Sequence, residues 1–241
     1  MTRPLLIMKT GKTLLSLRAD GEDFEHWIIR GMQLPASSTA TVAVHEGEQL
    51  PALTDIAGIV VTGSPAMLTD GAAWNEVAAA YLQDAVRHSL PVLGICYGHQ
   101  LLAHAFGGCV DYHPAGREIG TVPITLHGDA WNDPLLAGVP EGFAAHATHS
   151  QSVLTLPTKA TLLASSPHDP HHCFRIGERA WGVQFHPEFT AAVMRTYVLE
   201  RQEALETEGL NADALLAEVE ETPHATQILR NFARITGVMP G

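Results

Sequence analysis

The chain has 241 residues, 46% of them hydrophobic, enough to bury a full core as one α/β domain or one domain with an appendage. Fourteen basic against 26 acidic side chains give a net charge of −12, with no lysine and arginine cluster able to neutralise a run of phosphates, so nucleic acid is excluded as an expected partner. No apolar run approaches the ~20 residues of a membrane span, and Pro4 to Met8 is too short for a signal-peptide core; the expectation is a cytoplasmic chain that meets no membrane.

Short runs rich in Val, Ile and Leu alternate with helical patterns, which predicts βαβ units and a mainly parallel sheet covered on both faces. A strand is expected near 4–8, then a helix near 22–30 opened by Asp20, then a strand near 41–45. Gly58 to Thr62 reads as a buried strand ended by the loop Gly63-Ser64-Pro65. Trp74, Val77, Ala78, Tyr81, Leu82, Ala85 and Val86 recur on one helical face, predicting a helix over 74–88. Pro91 to Ile95 is the next strand, followed by a sharp turn at Cys96-Tyr97-Gly98 into a helix through Gln100, Leu101, Leu102 and Phe106, closed by Gly107-Gly108. Cys109 begins a strand, and further strands are expected at 119–126, 143–147, 161–165 and 180–185. Residues 190–206, 212–221 and 225–236 read as charged helices. The expected organisation is therefore a catalytic domain over 1–190 and a C-terminal helical extension over 191–241 packing on it, a surface that leaves room for a homodimer or a docking partner.

The three cysteines are odd in number and widely spaced, which suits a reducing compartment. Only Cys96 has a chemical context. Gly94-Ile95-Cys96-Tyr97-Gly98 places it between a strand and a helix, flanked by glycines that remove Cβ atoms from a tight bend. There the sulfur would project above the sheet near a helix N-terminus, where partial positive charge favours thiolate. Taken alone, the segment leaves open that Cys96 is one more small buried hydrophobe. For Cys109 and Cys173 inert packing is the expectation.

Trp181 to Glu188 reads as a strand that delivers His186 and Glu188 just past its C-terminal end, where open α/β sheets place their sites. Two positions apart on extended chain, the two side chains leave on the same side, so the carboxylate can orient the imidazole. Pro187 stiffens the spacer. An arbitrary His/Glu pair is most often a surface pair; what favours chemistry here is its co-occurrence with a thiol at an elbow.

These two segments, Gly94-Ile95-Cys96-Tyr97-Gly98-His99-Gln100 and Gly182-Val183-Gln184-Phe185-His186-Pro187-Glu188, resemble the hallmarks of the class I glutamine amidotransferases, especially stand-alone relatives of the glutaminase part of GMP synthetase. The resemblance runs from about residue 4 to 190. It implies a flavodoxin-like three-layer α/β sandwich and hydrolysis of the glutamine side-chain amide through a cysteine thioester. Carried onto this sequence, it implies Cys96 as nucleophile, His186 as acid and base, and Glu188 as its orienting partner. Backbone N–H groups of Ser64 and Tyr97 would hold the oxyanion, with Ser64 standing where a second glycine is common and tolerable if its φ is negative. Gly63, Gln100, His149, Ser150 and Gln151 would contact the substrate. The resemblance calls for no cofactor and no metal, and implies glutamine as substrate and a separate synthetase receiving ammonia. A γ-glutamyl hydrolase with the same triad, and a silent regulatory module of the same fold, are the alternatives.

Two other segments carry weaker signals. His168-Asp169-Pro170-His171-His172-Cys173 contains metal-ligand types, but Pro170 prevents a helical His face and a surface loop is expected. Gly11-Lys12-Thr13 ends like a phosphate loop, yet Leu6 stands where its leading glycine belongs.

Overall fold

The computed structural model of the protein describes residues 3–19 and 21–238. In chain order it has β1 (Leu5–Lys9), α1 (Phe24–Met32), β2 (Thr39–Ala43), β3 (Gly58–Val61), α2 (Ala73–Arg87), β4 (Val92–Ile95), α3 (Tyr97–Ala105), β5 (Cys109–Tyr112) and β6 (Glu118–Leu126). There follow β7 (Gly142–His149), β8 (Gln151–Thr155), β9 (Ala160–Ser165), β10 (Cys173–Ile176), β11 (Ala180–Val183), α4 (Ala191–Glu200), α5 (Gln202–Thr207), α6 (Ala212–Glu218) and α7 (Pro223–Thr236).

Nine strands form one sheet in the order β2-β1-β3-β4-β11-β10-β9-β6-β7, and β5 pairs with β8 apart from it. The five strands from β2 to β11 run parallel, and the remaining four are antiparallel. The expected flavodoxin-like three-layer arrangement is what is found, with an antiparallel wing appended to its parallel half.

The layers follow from strand periodicity. On β1, Leu5 and Ile7 face a core shared with α1 and α7, through Ile28, Met32, Ile228, Leu229 and Phe232. Leu6 and Met8 face the opposite core, shared with α2 and α3 through Ala78, Leu82, Leu101 and Leu102. Residues i and i+2 share a face of a strand, so a run apolar at every position is what a strand covered on both sides needs. Each fully buried large aliphatic side chain contributes roughly 1.5–3 kcal/mol. A third cluster, Phe24, Trp27, Phe189, Met194, Tyr197 and Val198, closes over the C-terminal ends of the parallel strands.

Several expectations need correction. The first helix begins later than expected: its cap is Asp23, which accepts from the Phe24 N–H at 2.9 Å, while Asp20 lies outside the described residues. The last parallel strand ends at Val183, and residues 184–188 form a bend and a turn instead of extended chain. The helix expected over 190–206 breaks at Arg201 into α4 and α5. Strands β8 and β10 were not anticipated. Cys173 packs inertly in the core, but Cys109 is exposed.

Candidate active site

Sheet order brings the site together. β4 lies between β3 and β11, with Val61 beside Gly94 on one side and Ile95 beside Val183 on the other. The residues that follow these three strands, Gly63-Ser64, Cys96 and His186, therefore emerge side by side at one sheet edge, as the crevice rule for parallel sheets requires.

The elbow is built by absence of side chains. A Cβ at Gly94 would lie 2.3 Å from the Gly98 carbonyl oxygen, and one at Gly98 would lie 2.5 Å from that of Val61. With both glycines, α3 starts directly above the sheet. Cys96 takes φ 51 and ψ −101 at its N-terminus, a conformation that costs a non-glycine residue on the order of 1–3 kcal/mol and that clusters at functional sites. Its N–H is anchored on the Val183 carbonyl at 2.9 Å. The side chain of Tyr97 is drawn away into the α2 interface, where its hydroxyl donates to Asn75 Oδ1 at 2.6 Å.

His186 is buried against aromatic faces, with the Phe189 ring centroid 4.1 Å away and Phe24 at 6.2 Å on near-parallel planes. Its Nδ1 lies 2.7 Å from Glu188 Oε1, also buried. Burial disfavours the imidazolium, but the Glu188 carboxylate and then the Cys96 sulfur outweigh it and raise the pKa of His186 to about 10. Gly63 fits between Cys96 and His186: a Cβ there would meet His186 Cε1 at 2.8 Å and Cys96 Cβ at 3.7 Å.

Ser64 does not have a positive φ among the described residues, so serine is accommodated there. Its hydroxyl donates to the Thr10 carbonyl at 2.9 Å and accepts from the Ala66 N–H at 3.2 Å. Gly11 packs against this loop, since a Cβ on it would lie 2.4 Å from Ser64 Oγ. The Gly11-Lys12-Thr13 segment is thus a brace for the loop. Lys9 ends β1 beneath it, buried between Asp23 and Glu25 at 2.8 and 2.7 Å. Burial opposes its charge, but these two carboxylates keep its pKa above the ordinary value.

Two cavities meet at Cys96. One is lined by Ser64, Tyr97, Gln100, Ser150, Gln151 and Arg117, among others, and the second, of about 130 Å³, by Lys12, Thr13, Phe24, His186 and Tyr197. All the expected substrate contacts except Gly63 line the first. Gln100 also has a structural duty, since its Nε2 donates to the Gln151 carbonyl at 2.7 Å and to Gln184 Oε1 at 3.1 Å. Gln151 in turn holds the 68–69 turn, accepting from the Leu68 N–H at 3.0 Å.

His149 points into a buried cluster that sequence reasoning missed. Glu118 Oε2 lies 2.9 Å from His149 Nε2 and 2.6 Å from His172 Nε2, and Glu118 Oε1 accepts from Ser166 Oγ at 2.7 Å. Burial opposes the charge on Glu118, but the two imidazole hydrogen bonds hold its carboxyl well below the ordinary range. The three donor atoms lie within 4.8 Å of one another, close enough for a metal ion; as arranged, the carboxylate oxygen faces both rings as a hydrogen-bond acceptor. Asp169 and His172 are buried, so the segment expected as a surface loop turns inward.

Residues 20–204 match the family described as glutamine amidotransferase class-I. The chain belongs to this family. Among curated relatives of this amidotransferase, a glutamine-hydrolysing GMP synthase of Porphyromonas gingivalis is 37% identical over 137 residues, covering 56% of the chain and 26% of the relative. A second, from Aeropyrum pernix, is 34% identical over 181 residues, covering 70% and 31%. The chain therefore spans about a quarter to a third of their length. A glutamine amidotransferase structure from Thermotoga maritima superposes with a TM-score of 0.77 over 98% of this chain and 99% of that one at 21% identity. One from Methylobacillus flagellatus gives 0.76 at 22% identity over 99% and 94%. These two likenesses concern the fold. Among the described residues of this amidotransferase no helix is long and apolar enough to cross a membrane.

Proposed function

We propose that this chain hydrolyses the side-chain amide of glutamine through a Cys96 thioester and passes the ammonia to a separate acceptor enzyme. The observation that carries the reading is the emergence of Cys96, His186 and Ser64 side by side from β4, β11 and β3, with Glu188 2.7 Å behind the imidazole. In this reading the Cys96 sulfur attacks the amide carbon while the Ser64 and Tyr97 N–H groups receive the oxyanion. Neither N–H is hydrogen-bonded to another group among the described residues, and each such donor is worth on the order of 3 kcal/mol of barrier. His186, charged and held by Glu188, protonates departing ammonia. The neutral ring then draws a proton from water as the water attacks the thioester, and collapse releases glutamate, its carboxyl proton passing to solvent, and expels the Cys96 thiolate beside the recharged imidazole.

Relatives named GMP synthase support a nucleotide-forming synthetase as acceptor, and three cysteines without a disulfide among the described residues fit the cytoplasm. A second reading, hydrolysis of larger γ-glutamyl compounds, is favoured by the 130 Å³ cavity on the His186 side of Cys96, which offers a leaving group more space than ammonia requires. Glutaminase assays with and without a co-purifying synthetase test the first reading. Fast cleavage of γ-glutamyl peptides beside slow glutamine turnover would replace it with the second.

A further inference from the structure

We propose that Arg201 binds a carboxylate of the substrate, which makes this a site for γ-glutamyl compounds selected by negative charge. The inference rests on the reading of Cys96 as nucleophile and deepens it.

Arg201 is the one charged side chain that lines both cavities meeting at Cys96. Its companions are Arg117 in the first and Lys12 in the second, and no aspartate or glutamate lines either. In a chain of net charge −12, a cleft with only basic charged walls beside the nucleophile is a local reversal of sign that favours an anion. Arg117 and Lys12 are already paired, Arg117 to Glu208 by two hydrogen bonds of 2.9 Å and Lys12 to Glu46 at 2.6 Å. Arg201 has no carboxylate within 4.0 Å among the described residues, and its Nε is buried without a hydrogen-bond partner.

The side chain is nevertheless held in place. It sits at the break between α4 and α5, with its guanidinium carbon 5.5 Å from the centre of the Tyr197 ring. Tyr197 is in turn fixed by a 2.7 Å hydrogen bond to Thr13. A guanidinium held over an aromatic face, with its planar fork unpaired, suits bidentate capture of a carboxylate. The two terminal nitrogens of the fork make no hydrogen bond among the described residues and are the ones a ligand can meet, whereas the buried Nε is shielded from both cavities. Two carboxylates can reach such a fork: the α-carboxylate of the glutamyl part lying in the first cavity, or a carboxylate on the departing amine lying in the second.

Two substrate pairs tell them apart. Glutamine is compared with its neutral α-amide, and γ-glutamylglycine with γ-glutamyl methylamide, using the unaltered protein, Arg201→Gln and Arg201→Lys. The unaltered protein is expected to prefer the charged member of at least one pair by about 10- to 100-fold in kcat/KM, the range for a hydrogen bond to a charged group. The first pair assigns Arg201 to the α-carboxylate, the second to the leaving group. Arg201→Gln is expected to erase that preference, and Arg201→Lys to keep part of it. A folded Arg201→Gln protein that retains the preference, or an unaltered protein indifferent in both pairs, overturns the proposal. Should Arg201→Gln fail to fold, calorimetric binding of the same pairs to Cys96→Ala and to Cys96→Ala with Arg201→Lys decides by the same criterion. Failure of the nucleophile reading looks different: no substrate turns over, while Cys96→Ala still distinguishes charged from neutral ligands.

Discussion

His186 Nδ1 lies 2.7 Å from Glu188 Oε1 across a single proline, with Phe189 stacked on the ring and Gly63 against its Cε1 edge. The imidazole thus has one orientation, and its other nitrogen is left free for Cys96, the proposed nucleophile. Replacing Cys96 or His186 with alanine is expected to lower glutamine turnover on the order of a millionfold, while Glu188→Ala, which removes only the orienting partner, loses on the order of 10,000-fold. Ammonia release followed over hours, with far-UV circular dichroism to verify folding, checks the ranking. Equal losses for all three would mean that Glu188 does more than orient.

Gly63→Ala is a test of spacing alone. The added methyl would meet His186 Cε1 at 2.8 Å and must push the ring aside, yet Gly63 does not have a positive φ, so the backbone itself accepts alanine. Misplacing a catalytic group by a fraction of an ångström to 1 Å costs up to about 100-fold. The expected result is a kcat lower by that order with a thermal midpoint near that of the unaltered protein. An unchanged kcat would show that the ring is not held where the geometry places it.

The contrast between legible and hidden parts has a physical basis. The elbow and the pairing of His186 with Glu188 were readable because they are local, with strand, glycines and candidate residues within a few positions, although the turn that makes the pairing was read as extended chain. The parallel strands were readable because burial on both faces makes them apolar throughout. β8 begins with Gln151 and Ser152, and β10 is four residues long with Arg175 within it, so neither carried a clear period. Glu118 meets His149 and His172 over separations of 31 and 54 residues, and Arg201, at the break between α4 and α5, lines both cavities that meet at Cys96. Those relationships exist in the fold and have no trace in any short window of sequence.

Glu118→Gln tests whether the buried cluster supports the substrate cavity. Glu118 accepts from Ser166 and faces both His149 and His172, and His149 heads the segment that lines the cavity through Ser150 and Gln151. An amide in place of the carboxylate offers one acceptor where two are used and leaves imidazole donors unmatched. Breaking a buried charged set costs about 3 kcal/mol, which for a chain of this size lowers the thermal midpoint by roughly 6–12 °C. KM should rise with it as the 149–151 segment loosens. A variant as stable as the parent, with unchanged KM, would show the cluster to be dispensable.

Stability should fall on both sides of a maximum near pH 6.5, for opposite reasons. Burial drives His99 to about 3, opposed in part by Asp169, and drives His146 to about 4, helped by His186. Both are neutral when folded and take up a proton in the unfolded chain near the ordinary 6.5. The unfolded state therefore binds more protons between pH 6.5 and about 3, and stability declines as pH falls through that window. His186, raised to about 10, behaves inversely. Its folded form holds a proton that the unfolded chain has lost, so its contribution is complete below 6.5 and disappears as pH rises toward 10. Urea midpoints measured from pH 4 to 10 should trace this dome, and His186→Ala should flatten the alkaline side while leaving most of the acid side in place, since burial remains the larger cause for both His99 and His146. In the proposed mechanism the same proton is given to departing ammonia, and on that reading glutamine turnover should decline along an alkaline limb near pH 10. An alkaline loss of stability that persists undiminished in His186→Ala would assign that limb to other groups and remove the support for a charged imidazole at the resting site.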